Sequence, residues 1–240
     1  MTNSRVESIL IQARDLCRRV APIDLKDVPL YLLPTSRLTA KLGAARGCFG
    51  FTTGTLDMLL RDEIGDAWQG RGPCIVINDQ MILSELGDQH LAADFCGIVL
   101  HELAHVLLRP ELFTEWKDPV PEQLDAKVRQ LANHLAIDRE PTRPWDGHGL
   151  SFIRVCLHLA WRAKQCGHPV MAANLCAGPT YGLSSALTYQ RLLGDEPAQF
   201  ANQTLRQIRE PYPDEFFNQY LDDLARWERD HNSSFSGTPQ

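Results

Sequence analysis

Gly97-Ile98-Val99-Leu100-His101-Glu102-Leu103-Ala104-His105-Val106-Leu107-Leu108 is the stretch from which the rest of this chain is read. It sets two histidines four residues apart inside an apolar run, with a glutamate directly after the first. On an α-helix, positions i and i+4 lie on one face. His101 and His105 therefore point the same way and can share one metal ion through their imidazole nitrogens. Glu102 lies one position round the helix, where it can reach a water at that metal without ligating the metal itself. Phe95, Cys96, Val99, Leu100, Leu103 and Val106 make the helix apolar nearly all round, and such a helix is buried. Two histidines and a glutamate in a buried helix require partners or a metal. A metal centre thus fits better than a solvated polar face.

Outward from this helix, the N-terminal half alternates helix and strand signals. Val6, Ile9, Leu10, Ala13, Leu16 and Cys17 recur at helical spacing over residues 4–19. Val28–Leu33 reads as a strand bounded by Pro34, and Arg37–Leu42 as a short helix. A strand opens at Cys48-Phe49-Gly50-Phe51 and ends near Gly54. Residues 54–72 are ambiguous, because acids and arginine interleave with the leucines. Cys74-Ile75-Val76-Ile77-Asn78 is the clearest strand, short and β-branched between turn residues. Placed just before the motif helix, its edge is positioned to pair with an extended peptide and lay it across the metal. The motif helix lies within Ser84 to Arg109, with Asp88 as N-cap and Pro110 as its stop.

Beyond Pro110, the pattern predicts a loop, then an amphipathic helix over Glu122–Ile137, then a polar, proline-broken stretch. A long helix follows from about Leu150 to Cys166, and residues 169–182 are small and turn-rich. Further helices are expected from Ser184 to Leu193 with Gly194 as C-cap, around 197–209, and over 214–228. The polar tail 231–240 reads as disordered.

The bulk composition narrows the class. At 240 residues and 44% hydrophobic content, the chain has material for one substantial domain plus an extension. Its net charge of −6 gives nucleic-acid binding no support, although it leaves a local basic patch open. The seven cysteines are odd in number and none forms a Cys-x-x-Cys pair, which fits reduced thiols better than a disulfide framework. No segment reads as a signal peptide, and none as a membrane span. The expectation is a cytoplasmic protein without membrane partners.

A catalytic zinc site usually takes three protein ligands and leaves one position open. The histidine of the long metzincin motif is missing, since Glu111 stands six residues after His105. The best third ligand is His148, in Trp145-Asp146-Gly147-His148-Gly149-Leu150-Ser151-Phe152. The flanking glycines let the backbone pass close to another element, the following helix can hold the ring, and Asp146 could accept from it. Glu122 or Asp125 remain alternatives, as acids on a helix packing back against the first. They are equally explained as helix-start charges. His134 and Asp138 share a face that solvent explains as well.

His101-Glu102-Leu103-Ala104-His105 is the zincin peptidase signature. Together with His148-Gly149-x-x-Phe152, it resembles the SprT-like zinc metallopeptidases. Gly47–Gly50 and Cys74–Asn78 are similar in placement to that family's glycine-rich strand region and short strand, so the resemblance covers roughly residues 28–165. The separation of His105 from His148 is longer than in the family pattern and makes about 111–145 a helical insertion. No cysteine zinc ribbon of the kind some members carry is present. The resemblance implies a metal-dependent endopeptidase of restricted specificity, and some relatives act on DNA-bound proteins.

These readings combine into an α+β, zincin-like fold, with a small twisted sheet beside a buried motif helix. Residues 1–168 form the catalytic domain and 169–230 a helical C-terminal extension. The expected activity is zinc-dependent peptide hydrolysis of a protein or peptide substrate. Zn²⁺ would sit on His101, His105 and His148, with Glu102 as general base. The alternatives are a binding or regulatory protein that keeps structural zinc, and a metallohydrolase for non-peptide amides. Tyr181, Tyr189, His158 and Arg154 are possible donors to an oxyanion, and Asp94 a possible outer partner of the ligands, although each has a simpler structural explanation. Trp116, Trp145 and Trp161 read as core or loop anchors.

Overall fold

A computed structural model describes residues 2–38, 47–87, 90–108, 148–176, 186–205, 208 and 211–235. Helix α1 (Thr2–Val20) lays one apolar face, Val6 to Val20, into the core. Three short strands follow: β1 (Tyr31–Pro34), β2 (Gly50–Thr52) and β3 (Cys74–Ile77). They form one mixed sheet in the order β1-β3-β2, with β1 parallel and β2 antiparallel to β3. All four residues of β3 are buried, which suits its β-branched run. Ile75 and Ile77 face the main core, whereas Cys74 and Val76 join Tyr31, Phe51 and Leu56 in a smaller cluster on the other face.

The strand whose place suggested a role for its edge is the central one. β3 is hydrogen-bonded on both sides, so no peptide can add to it. The strand signal reports burial and β-branching and says nothing about neighbours. The outer strand packed against the motif helix is β2.

Between β2 and β3 the ambiguous stretch folds as α2 (Leu56–Leu59) and α3 (Arg61–Ile64). Asp57, buried between the leucines, explains the mixed pattern. It accepts from Arg71 Nε (2.7 Å), Gly72 N (2.9 Å) and Met58 N (2.9 Å), closing the connection to β3. Thr35–Arg37 form a single 3₁₀ turn, tied at Thr35 and Ser36 to buried Asp79, and most of the helix expected over Arg37–Leu42 lies outside the described residues. Residues 39–46 lie outside the described residues.

A separate short helix precedes the motif helix. Helix α4 (Asp79–Glu85) is capped by Asn78, whose side chain accepts from Met81 N at 3.1 Å. Gly87 then takes a φ of 72° before α5 (Leu91–Leu108) begins. Asp88 and Pro110 lie outside the described residues. At 18 residues and a mean hydropathy of 1.6, α5 does reach membrane-span length and composition, contrary to expectation. Here 61% of it is buried within the protein, against α1, the sheet and two later helices.

Helix α6 (Leu150–Gln165) packs along α5 and α1. Then come α7 (Ala172–Leu175), α8 (Ala186–Leu193), α9 (Glu196–Gln199) and α10 (Asp214–Phe235). Gly194 closes α8 at a φ of 54°. The helix expected over 197–209 stops at Gln199, because Arg162 of α6 holds the chain beyond it. Its guanidinium donates to Phe200 O (2.8 Å), Gln203 O (2.8 Å) and Val20 O at the end of α1 (3.0 Å). Helix α10 continues through His231 to Phe235, where disorder was expected. Ala172, Leu175, Tyr189, Leu193 and Phe216 lie in the same hydrophobic cluster as α1, α5 and α6. The expected helix Glu122–Ile137, the acids Glu122 and Asp125, and His134, Asp138, Asp146, Trp116, Trp145 and Tyr181 lie outside the described residues.

Candidate metal centre

Two elements bring three imidazoles together. His101 and His105 stand one turn apart on α5, and His148 lies just before the start of α6. Their ring centroids are 5.2 Å (His101–His105), 5.2 Å (His101–His148) and 4.6 Å (His105–His148) apart. One ligand atom from each falls within 4.8 Å of the others, so the group can hold a metal ion. Among the described residues, the group has these three members.

The spacing admits a test of fit. Nε2 of His148 and Nε2 of His101 are 3.2 Å apart. Two nitrogens about 2.0–2.1 Å from one tetrahedral ion are about 3.3 Å apart. The ring chemistry agrees. His101 Nδ1 lies 2.6 Å from Leu175 O, and a carbonyl only accepts, so Nδ1 carries the proton. Burial lowers the His101 pKa, against the opposing pull of the Leu175 carbonyl, so the ring is neutral at pH 7. Its Nε2 therefore offers a lone pair to the centre, the arrangement a ligand histidine needs.

The ring of Phe152 forms an apolar wall shared by all three ligands. Its centroid lies 4.9 Å from that of His101, 4.5 Å from His105 and 4.6 Å from His148. It sits in the first turn of α6, four residues after His148, and is 1% exposed. It limits water at the cluster and holds the rings in place.

Glu102 is buried beneath β2, with 6% of its surface exposed. Burial alone raises its pKa to about 8. A neighbouring dication acts in the opposite sense. Gly50 of β2 makes this approach possible, since a Cβ there would sit 3.3 Å from Glu102 Oε1 and 2.7 Å from Ile98 Cγ2. The outer strand and the glutamate are thus in direct contact.

The other polar candidates are bound up elsewhere. Arg154 and His158 both bond to Glu196 on α9, and the Tyr189 hydroxyl donates to Asp223 at 2.9 Å. Trp161 is half-buried on α6. The cysteines carry no disulfide, and burial pushes the Cys48 and Cys96 thiols up to about 11.

The sequence reading missed Leu175, whose carbonyl orients His101. A backbone acceptor leaves no mark in the side-chain pattern. It also missed Gly50 as the point of contact with Glu102. The run Gly47–Gly50 signalled close packing without saying against what. Compared with protein-family models, curated proteins and solved structures, the chain matches none.

Proposed function

We propose that this chain is a zinc-dependent metallopeptidase of the SprT-like kind, cleaving peptide bonds by attack of water. His101, His105 and His148 would hold the zinc. Bound there, zinc supplies a Lewis acid and brings the pKa of water towards 7. Glu102 handles the proton. Its carboxylate takes it from the attacking water and returns it to the leaving amine nitrogen. Phe152 keeps bulk water from the ligands. An extended substrate would add to β2, the outer strand that touches Glu102, through main-chain hydrogen bonds.

The observation that supports this reading best is the convergence of three ring nitrogens within 4.8 Å, beside a buried glutamate that is not one of them. A three-ligand group suits a catalytic zinc with an open position better than a closed structural site. The test pairs elemental analysis with hydrolysis of an unstructured protein substrate. Wild type should carry about one zinc per chain and cut. Glu102→Gln should keep the zinc and lose at least about a hundredfold in kcat, the lower end of what a general base contributes. Zinc-loaded Glu102→Gln with undiminished cleavage would remove Glu102 from this role. Wild type without zinc would discard the peptidase reading.

A further inference from the structure

The chain beyond α6 reaches the metal centre from two sides. On one side stands α7. Its Leu175 carbonyl accepts from His101 Nδ1, and Cys156 Sγ donates to the same oxygen at 3.5 Å, which ties that carbonyl to α6 as well. Gly97 leaves room for this approach, since a Cβ there would lie 3.4 Å from Val170 Cγ1 and 3.8 Å from Asn174 Cβ.

On the other side, the first turn of α6 is gripped where it follows His148. Ser151 Oγ and the Tyr212 hydroxyl are bonded at 2.5 Å. The Tyr212 ring is itself held, because the Arg154 guanidinium stacks 4.7 Å over it. Arg154 is fixed in turn by two bonds to Glu196 of α9, at 2.6 and 2.7 Å. From α10, the Tyr220 hydroxyl comes to 3.7 Å from the place a Cβ on Gly149 would take. Gly149 and Ser151 lie one and three residues after His148, and between them and Arg154 stands Phe152, whose ring packs against His148. One helical turn moves as a body, so a displacement of Ser151 carries Phe152 and the backbone of His148 with it. Metal affinity is sensitive to such displacement, because the groups behind the ligands set where the ligands stand.

We propose that the hydrogen bond between Ser151 and Tyr212 is a positioning contact for His148, through which the C-terminal chain and the metal ion stabilise each other's place. Neither residue touches the ion; both act through the third ligand. Such a coupling is reciprocal: docking of the C-terminal chain tightens the metal, and the metal tightens the docking. It rests on the reading of His101, His105 and His148 as metal ligands and does not require peptide hydrolysis.

The test measures the affinity of the full chain for Zn²⁺ by competition with a chromophoric chelator. Tyr212→Phe keeps the ring beneath Arg154 and removes only the hydroxyl. Ser151→Ala removes the other partner and places a better helix former in α6. Each should weaken zinc binding about three- to tenfold, a range set by the net worth of one hydrogen bond. The double variant should be no weaker than either single one, because both act through the same bond. Zinc should also slow hydrogen exchange along the α10 backbone, and slow it less in Ser151→Ala than in wild type. A merely structural hydrogen bond would lower the Tm of the metal-free protein and leave zinc affinity where it was. Wild-type affinity in the single variants, losses that add in the double variant, or equal slowing of exchange in wild type and Ser151→Ala would each overturn the inference while leaving the proposed function standing. A wild-type chain that binds no zinc would remove both together. Either single variant suffices should the other not fold.

Discussion

Replacing Gly50 with alanine adds one methyl group at the contact between β2 and α5. That carbon would lie 2.7 Å from Ile98 Cγ2, about 0.8 Å short of ordinary carbon–carbon contact, and 3.3 Å from both Cγ and Oε1 of Glu102. Strand and helix must separate, or Ile98 must leave its rotamer. Overpacking of this kind costs about 1–3 kcal/mol. In a chain of 240 residues, that lowers Tm by about 2–4 °C for each kcal/mol. Ile98→Ala removes the closest atom, so Gly50→Ala should cost much less in an Ile98→Ala background. The difference between the two costs is the coupling energy of the pair. Relief at Ile98 leaves the 3.3 Å contacts with Glu102 in place. Cleavage should therefore stay impaired in the double variant even as stability returns. Urea unfolding of the four proteins, with zinc content and hydrolysis rate measured on each, decides the matter. A single variant as stable as wild type, or a cost that Ile98→Ala does not relieve, would refute the packing argument. Full cleavage in the stable double variant would refute the link from β2 to Glu102.

Three further outcomes follow from the same geometry. His148→Ala, purified alongside wild type, should carry far less than one zinc per chain, since it removes one of three ligands. Full zinc in that variant would exclude His148 and turn attention to Glu122 and Asp125. Glu196→Leu leaves Arg154 charged and uncompensated where its side chain is only 6% exposed, at a cost of about 3–5 kcal/mol in urea unfolding. The double variant Arg154→Met/Glu196→Leu should recover much of that, and a single variant costing under about 1 kcal/mol would mean that the pair is not buried as described. Stability of the zinc-free protein should also fall on acidification. Burial, only partly offset by Glu196, holds the folded His158 pKa below 6.5, so at lower pH the unfolded chain binds a proton that the folded chain refuses. This group costs nothing above about pH 6.5, and below it stability drops with a slope approaching about 1.4 kcal/mol per pH unit. Burial of Glu196 works towards a higher pKa, but the bonds from His158 and Arg154 prevail and hold it below 4.5, which adds a second loss in stronger acid. Because the raised Glu102 pKa acts in the opposite sense and the lowered His101 pKa in the same sense, the comparison is with His158→Gln: a wild-type midpoint that falls no more steeply between pH 7 and pH 5 than that variant's would contradict the burial of neutral His158.

How much could be read in advance depended on whether a residue acts through its side chain at a fixed spacing. His101 and His105 follow from helical periodicity alone, and His148 from its glycine-flanked place before an apolar helix. Phe152 came with it, one turn on. Leu175 could not be read, because its contribution is a carbonyl oxygen. The position of β3 at the centre of the sheet was equally hidden, since a buried strand and an edge strand beside a helix can share one composition. The helix over 197–209 was overestimated for a tertiary reason: Arg162 takes up the carbonyls of Phe200 and Gln203 and so competes with helical pairing. Asp57 illustrates the same effect. Polar in sequence, it is buried because two backbone amides and an arginine converge on it. The α+β class and the buried motif helix were legible because they rest on periodicity and hydropathy, which are local.

The hold of Arg162 on Val20, Phe200 and Gln203 also sets an order of events at the ribosome. The apolar face of α1 is made before the helices that cover it, α5 and α6, and the clasp that ties its end needs the carbonyl of Gln203. At about 5–20 residues per second, roughly 10–40 s pass between the synthesis of Val20 and that of the clasp's last acceptor. Through that interval, Val6, Ile9, Leu10 and Leu16 present a greasy stripe with no permanent cover. Its folding yield should respond to translation speed between Val20 and Gln203, the interval in which that stripe waits for its clasp.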